Sequence, residues 1–202
     1  MKKTKLNKDD NYLREKLINF ENNIKSIYES GKIRSPIHLS GNNENQLISI
    51  FKNIKKNDWV ISSWRNHYHA LLHGIPEKKL LNMILNNKSM GIISKKHNFY
   101  SSSIVGGGLS IALGIALAIK RSKKKNKVFI FVGDMTFETG TFYETYKYSK
   151  NFNLPLKFIV EDNNMSTNSP TDKVWKKKSK PPKDIKYYQY KRKFPHHGTG
   201  NW

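Results

Sequence analysis

Cysteine is absent from the 202 residues, which excludes a disulfide framework, a thiolate metal centre and a thiol nucleophile. Acidic side chains are scarce, with 15 Asp and Glu against 37 Lys and Arg and a formal net charge of +22. Such an excess points toward a polyanionic partner, but lysine, asparagine and isoleucine are abundant everywhere, helix faces included, so a general compositional bias accounts for much of it. No apolar segment follows Met1-Lys2-Lys3, and the longest apolar stretch, Ile104 to Ile119, is glycine-rich, broken by Ser110 and short of a membrane span. The expectation is a soluble, cytoplasmic protein with no membrane partner. No internal repeat is visible, and the length suits one domain with a real core.

Leu13, Leu17, Phe20, Ile24 and Ile27 form one stripe of an amphipathic helix within residues 1–30, stopped by Gly31. Leu47, Ile50, Phe51 and Ile54 repeat the pattern, a short strand is expected at Trp59 to Ser62, and a helix after Pro76 buries Leu80, Leu81, Ile84 and Leu85. The run GGGLSIALGIALAI is apolar on all sides, as in a helix enclosed by neighbours. A strand (128–132), a helix (139–152) and a strand (156–160) follow. This alternation predicts an α/β fold, a parallel sheet covered by helices on both faces. Residues 31–175 make up this unit. Residues 176–202, with KKKSKPPKD and YYQYKRKFPHHGTGNW, read as a basic, aromatic tail, either disordered or an arm that orders on a partner.

Asp134 closes the apolar run VFIFVGDM, and Asn163, 29 residues on, closes FIVEDNN. Parallel strands joined by a helical crossover set their carboxyl ends side by side, at the sheet edge where ligands bind. The Asp134 carboxylate and the Asn163 amide oxygen are therefore expected to face one site. With a backbone carbonyl just past Asn163 they suit Mg²⁺, which keeps water and phosphate oxygens as its other ligands, so a diphosphate is the implied companion. Gly106, Gly107, Gly108, Gly133 and Gly140 permit close backbone approach to such a group.

GDMTFETG through EDNNMS resembles the thiamine-diphosphate motif, a G-D-G start closed by N or NN. WRNHYHALLHG is similar to a Y-R-x-H-G-H-A-L-x-R-G segment, and NFYSSSIVGGGLSIALGIALA to an N-F-x-G-G-x-G-I-V-G stretch with its following helix. The family in which all three occur in this order is the alpha subunits of the decarboxylating component of 2-oxo acid dehydrogenase complexes.

The resemblance implies a three-layer thiamine-diphosphate-binding fold, shortened at the carboxyl end relative to that family. It implies Mg²⁺ held by Asp134, Asn163 and the carbonyl of Met165. Gly133, Met135 and Thr136 would lie beside the diphosphate, Arg65 would pair with a diphosphate oxygen, and Trp64 takes a position usually held by tyrosine. Val105, with Ser103 and Gly106, would hold the aminopyrimidine. His67 and His69 would stand at the substrate end of the cofactor, for proton transfer or polarisation of a 2-oxo acid. The glutamate that activates the aminopyrimidine comes from a second domain that nothing here matches, so a beta-type partner subunit in a hetero-oligomer is implied. Met135 replaces the second glycine of the motif and His73 an arginine before Gly74. The competing expectation is a divergent, catalytically inactive basic module that contacts nucleic acid through its tail.

Overall fold

A computed structural model describes residues 8–176 and 178–200. The amino-terminal stripe folds as α1 (Lys8–Glu29), which buries Leu17, Phe20 and Ile24, while the first seven residues of the expected segment lie outside the described residues. After α2 (Glu44–Phe51) come β1 (Trp59–Ser62), α3 (His67–Leu72) and α4 (Glu77–Leu85). β2 (Ile93–Ser94) and β3 (Phe99–Ser101) precede α5 (Gly107–Arg121) and β4 (Val128–Gly133). A short α6 (Asp134–Phe137) leads to α7 (Gly140–Asn151), β5 (Leu156–Asp162), the hairpin β6 (Met165–Ser166) and β7 (Ser169–Pro170), then α8 (Thr171–Val174) and β8 (Lys186–Gln189).

Six strands form one sheet in the order β2-β3-β1-β4-β5-β8. Every pairing is parallel except β2 with β3. Alternation along β4 divides the core. Phe129 and Phe131 face the layer made by α1 to α4, whereas Val128, Ile130 and Val132 face α5 and α7. Period-two alternation with apolar residues on both sides is what a strand covered on both faces requires. The three-layer α/β expectation holds.

The segment that carries the two histidines is the helix α3. Two expectations differ from the structure. The helix expected to be enclosed, α5, buries Leu109, Ala112, Ala116 and Ile119 but leaves Ile111, Gly114 and Ala118 exposed. The tail, expected to be disordered or to order only on a partner, supplies β8, which pairs Ile159–Asp162 of β5 with Lys186–Gln189 and covers the edge that would otherwise stand open.

Candidate active site

The chain leaves β1 for α3 on one face of the sheet and leaves the neighbouring β4 for α6 and α7 on the other. A crevice opens outside the carboxyl ends of adjacent strands where the connections part in this way. A cleft of about 600 Å³, open to solvent, lies there. Trp64 and Arg65 enter it from the end of β1, Gly133, Asp134, Met135 and Thr136 from the end of β4, and Asn163 and Met165 from beyond β5. Val105 joins them from the loop before α5. Gly106, at φ 72° in the left-handed region that glycine tolerates best, lines a smaller adjoining cleft that shares Thr136. Ser103 is exposed and lines neither cleft.

Asp134 is 2 % exposed, and its Oδ2 atom accepts no hydrogen bond among the described residues. Burial pushes its carboxyl up to about 6; the nearby Asp162 charge acts in the same sense, while the neighbouring Thr171 hydroxyl and the Lys178 charge act against it. Asp162, at 1 % exposure, shows the opposite outcome. Burial works upward there too but is outweighed by donors: Tyr187 Oη at 2.5 Å, Gln189 Nε2 at 3.0 Å, the Asn164 N–H at 2.8 Å and Lys178 Nζ at 3.1 Å. Its pKa lies below the ordinary carboxylate value. Asn163 Oδ1 accepts the Met165 N–H at 2.9 Å, while Asn163 Nδ2 donates to Tyr190 Oη at 3.3 Å. The amide is thus fixed in orientation, with a second lone pair on Oδ1 still to use.

Arg65 is buried against backbone. Its Nε donates to the Leu39 carbonyl at 3.0 Å and its Nη2 to that of His196 at 3.3 Å, which directs the remainder of the guanidinium fork into the cleft. Tyr190, Arg192 and His196 of the tail also line the cleft, and composition alone concealed them. His196 packs edge-on against His38 with ring centroids 4.7 Å apart. Burial and the nearby Arg65 and Arg192 charges depress His196 to about 4, and burial with Arg65 depresses His38 to about 3.

The two histidines of α3 lie elsewhere. His67 is fully buried, with Nδ1 3.1 Å from Glu21 Oε2 and Nε2 2.9 Å from Ser89 Oγ. This serine–histidine–glutamate line has the order of a nucleophilic triad, but all three residues are shut off from solvent and none lines the cleft. It ties α1 and the loop after α4 to α3. His69, also buried, places Nε2 3.2 Å from Glu161 Oε2 without hydrogen-bond alignment. Glu161 itself lines the cleft and accepts a hydrogen bond from Tyr188 Oη, so His69 stands one residue behind the wall. Among the described residues no three His, Asp or Glu side chains converge as a metal cluster. A cation at Asp134 would therefore take one carboxylate, neutral oxygens and the oxygens of its ligand.

A three-layer sheet with a charged, oxygen-lined cleft at its switch point defines an α/β protein built to hold a ligand outside its strand ends. The chain belongs to the dehydrogenase E1 component family, whose profile matches residues 13–181. It is 28% identical over 162 residues to the pyruvate dehydrogenase E1 component subunit alpha of Porphyra purpurea, covering 72% of this chain and 47% of that protein. The Rickettsia prowazekii (strain Madrid E) subunit of the same name is 30% identical over 157 residues, 73% of this chain and 48% of that one. The alpha subunit of acetoin:2,6-dichlorophenolindophenol oxidoreductase from Bacillus subtilis (strain 168) is 26% identical over 162 residues, 75% and 48% respectively. The chain spans about half the length of these curated relatives.

Proposed function

We propose that this chain is the thiamine-diphosphate- and Mg²⁺-binding subunit of an enzyme that cleaves or forms a carbon–carbon bond next to a carbonyl, with decarboxylation and dehydrogenation of a 2-oxo acid as the reaction. Its pyrimidine-binding half comes from a beta-type partner chain. The observation that carries this reading is the Asp134 Oδ2 atom, buried and without a hydrogen bond, on the wall of a cleft shared with Asn163 and Met165. The Lys178 ammonium, at 3.7 Å, is too far to hydrogen-bond this oxygen, which keeps its lone pairs for a cation, and the donor set of Asp134, the Asn163 amide and the Met165 carbonyl fits Mg²⁺ carrying a diphosphate.

When bound, thiamine diphosphate supplies a nucleophilic thiazolium carbon and an electron sink. The chain supplies the rest. Arg65 and Arg192 offer permanent charge to diphosphate oxygens, the planar fork of each being suited to that geometry. Trp64, Val105 and Met135 exclude water from the walls. His196 is kept neutral near pH 7 by burial and its arginine neighbours, and so offers an uncharged ring nitrogen that can accept a hydrogen bond. His67 and His69 act through position, His67 by holding α3 in place and His69 by backing Glu161. Support for a partner comes from the exposed apolar surface beside the clefts, where Ile104 is 70 % exposed, and from the uncovered face of α5 at Ile111, Gly114 and Ala118.

Thermal unfolding tests the reading. Thiamine diphosphate with Mg²⁺, at a hundred times the dissociation constant, should stabilise the chain by about 2.7 kcal/mol, and neither component alone should reproduce the shift. Asp134→Ala should abolish the response. An unaltered response in that variant would remove the metal assignment.

A further inference from the structure

Among the described residues, Lys178 is the tail side chain that forms ion pairs with both carboxylates at the carboxyl ends of β4 and β5: its Nζ lies 3.1 Å from Asp162 Oδ1 and 3.7 Å from Asp134 Oδ2. The first contact is a charge-assisted hydrogen bond; the second is an ion pair too long to be one. The ammonium therefore balances Asp134 by field alone and leaves its buried Oδ2 without a donor. Ser179, next in sequence, is fixed to Glu138 through its N–H at 2.9 Å and its hydroxyl at 2.8 Å, and this holds Lys178 at the mouth of the carboxylate pair.

We propose that Lys178 is an intramolecular competitor for the divalent cation: its ammonium neutralises Asp134 and Asp162 in the metal-free chain and must yield when the metal binds. The inference rests on the reading of Asp134 as a metal ligand. A cation on Asp134 Oδ2 comes within a few ångströms of Nζ, where like charges in a part-buried setting repel strongly, so Lys178 lowers metal affinity while stabilising the metal-free fold. The affinity of the site is then set by a residue that is not itself a ligand, and a diphosphate, which brings anionic oxygens for Nζ to follow, relieves the competition.

Manganese(II) binding to the full chain, followed by the loss of the free-ion paramagnetic resonance signal, tests this with and without inorganic diphosphate. Lys178→Met should bind Mn²⁺ at least tenfold more tightly than the unaltered chain without diphosphate, equivalent to about 1.4 kcal/mol. The gap should narrow when diphosphate is added. The metal-free Lys178→Met chain should also melt at a lower temperature, and Lys178→Arg, which keeps the charge, should retain weak Mn²⁺ binding. Lys178→Gln provides the same comparison if the methionine variant does not fold. Equal affinity in charged and neutral variants overturns the competition while leaving the metal site standing. Absence of Mn²⁺ binding from every variant, with and without diphosphate, overturns the site and the competition together.

Discussion

Glu21, His67 and Ser89 stand in an order that would activate a nucleophile at a surface, and burial gives them another use. With both His67 ring nitrogens engaged and Glu21 also accepting the Ser40 N–H at 2.9 Å, removing the imidazole leaves a buried carboxylate short of a partner. His67→Ala should therefore cost roughly 3 kcal/mol of stability, the range found for a broken buried pair, measured as a fall in the urea midpoint at constant slope. Unchanged stability with lost cofactor binding would instead return His67 to the site. His38 and His196, depressed to about 3 and about 4, make the fold acid-sensitive. The unfolded chain binds their protons from about pH 6.5 downward while the folded chain refuses them, so stability falls as pH drops through that window. Asp134, raised to about 6, works the other way, holding its proton in the folded state between about pH 6 and its ordinary value. Denaturant midpoints at pH 7 and pH 5 should show a net loss on acidification, and Asp134→Asn should deepen it. Asp134 and Asn163 were legible because strand, crossover and strand fix their spacing. His196 was not, since no local pattern says which residues of a basic tail fold back over Arg65.

At the scale of elements, the clearest constraint is the approach of α5 to the sheet. A Cβ at Gly108 would meet Ile61 Cγ2 at 2.9 Å, so Gly108→Ala should destabilise by about 1–3 kcal/mol through overpacking, whereas at Gly114, where nothing lies within 4 Å, alanine should be neutral or stabilising. Equal effects at the two positions in a denaturation series would contradict this packing. β4, α7 and β5 were readable to within a residue or two, since each carries a full period and a turn signal; Thr139, for instance, caps α7 by accepting the Phe142 N–H. β8 escaped because it has four residues and an exposed lysine at a sheet edge, the composition that edge strands share with loops. Its contribution is large all the same: Tyr188 packs into the core beneath α1 to α4 and Tyr187 against the opposite layer. Truncation before Lys186 should bare the β5 edge and give soluble aggregates by light scattering. A monodisperse truncated chain would show that the edge is covered by other means.

For the molecule as a whole, the net charge of +22 is the feature most open to misreading. The tail's charges are partly spent within the fold: Lys178 on Asp162, Arg192 in the cleft with its Nη1 donating to the Thr167 carbonyl, and Lys193 over the Phe194 ring. Nucleic-acid binding should accordingly be weak and vanish between 50 and 200 mM salt in a fluorescence titration with short RNA, as for non-specific phosphate contacts alone. Among the described residues no helix is long and apolar enough to cross a membrane. The uncovered apolar face of α5 and the rim at Ile104 were invisible in a sequence that reads as a fully enclosed helix, because a helix awaiting a partner and one buried in its own domain carry the same residues. In the proposed site one cation bridges the ends of β4 and β5. A crystal grown with thiamine diphosphate and Mn²⁺ in place of Mg²⁺, examined for anomalous scattering, tests this most directly. A single peak in contact with Asp134, Asn163 and the diphosphate is the expected result; an ordered diphosphate with no peak at Asp134 would contradict it.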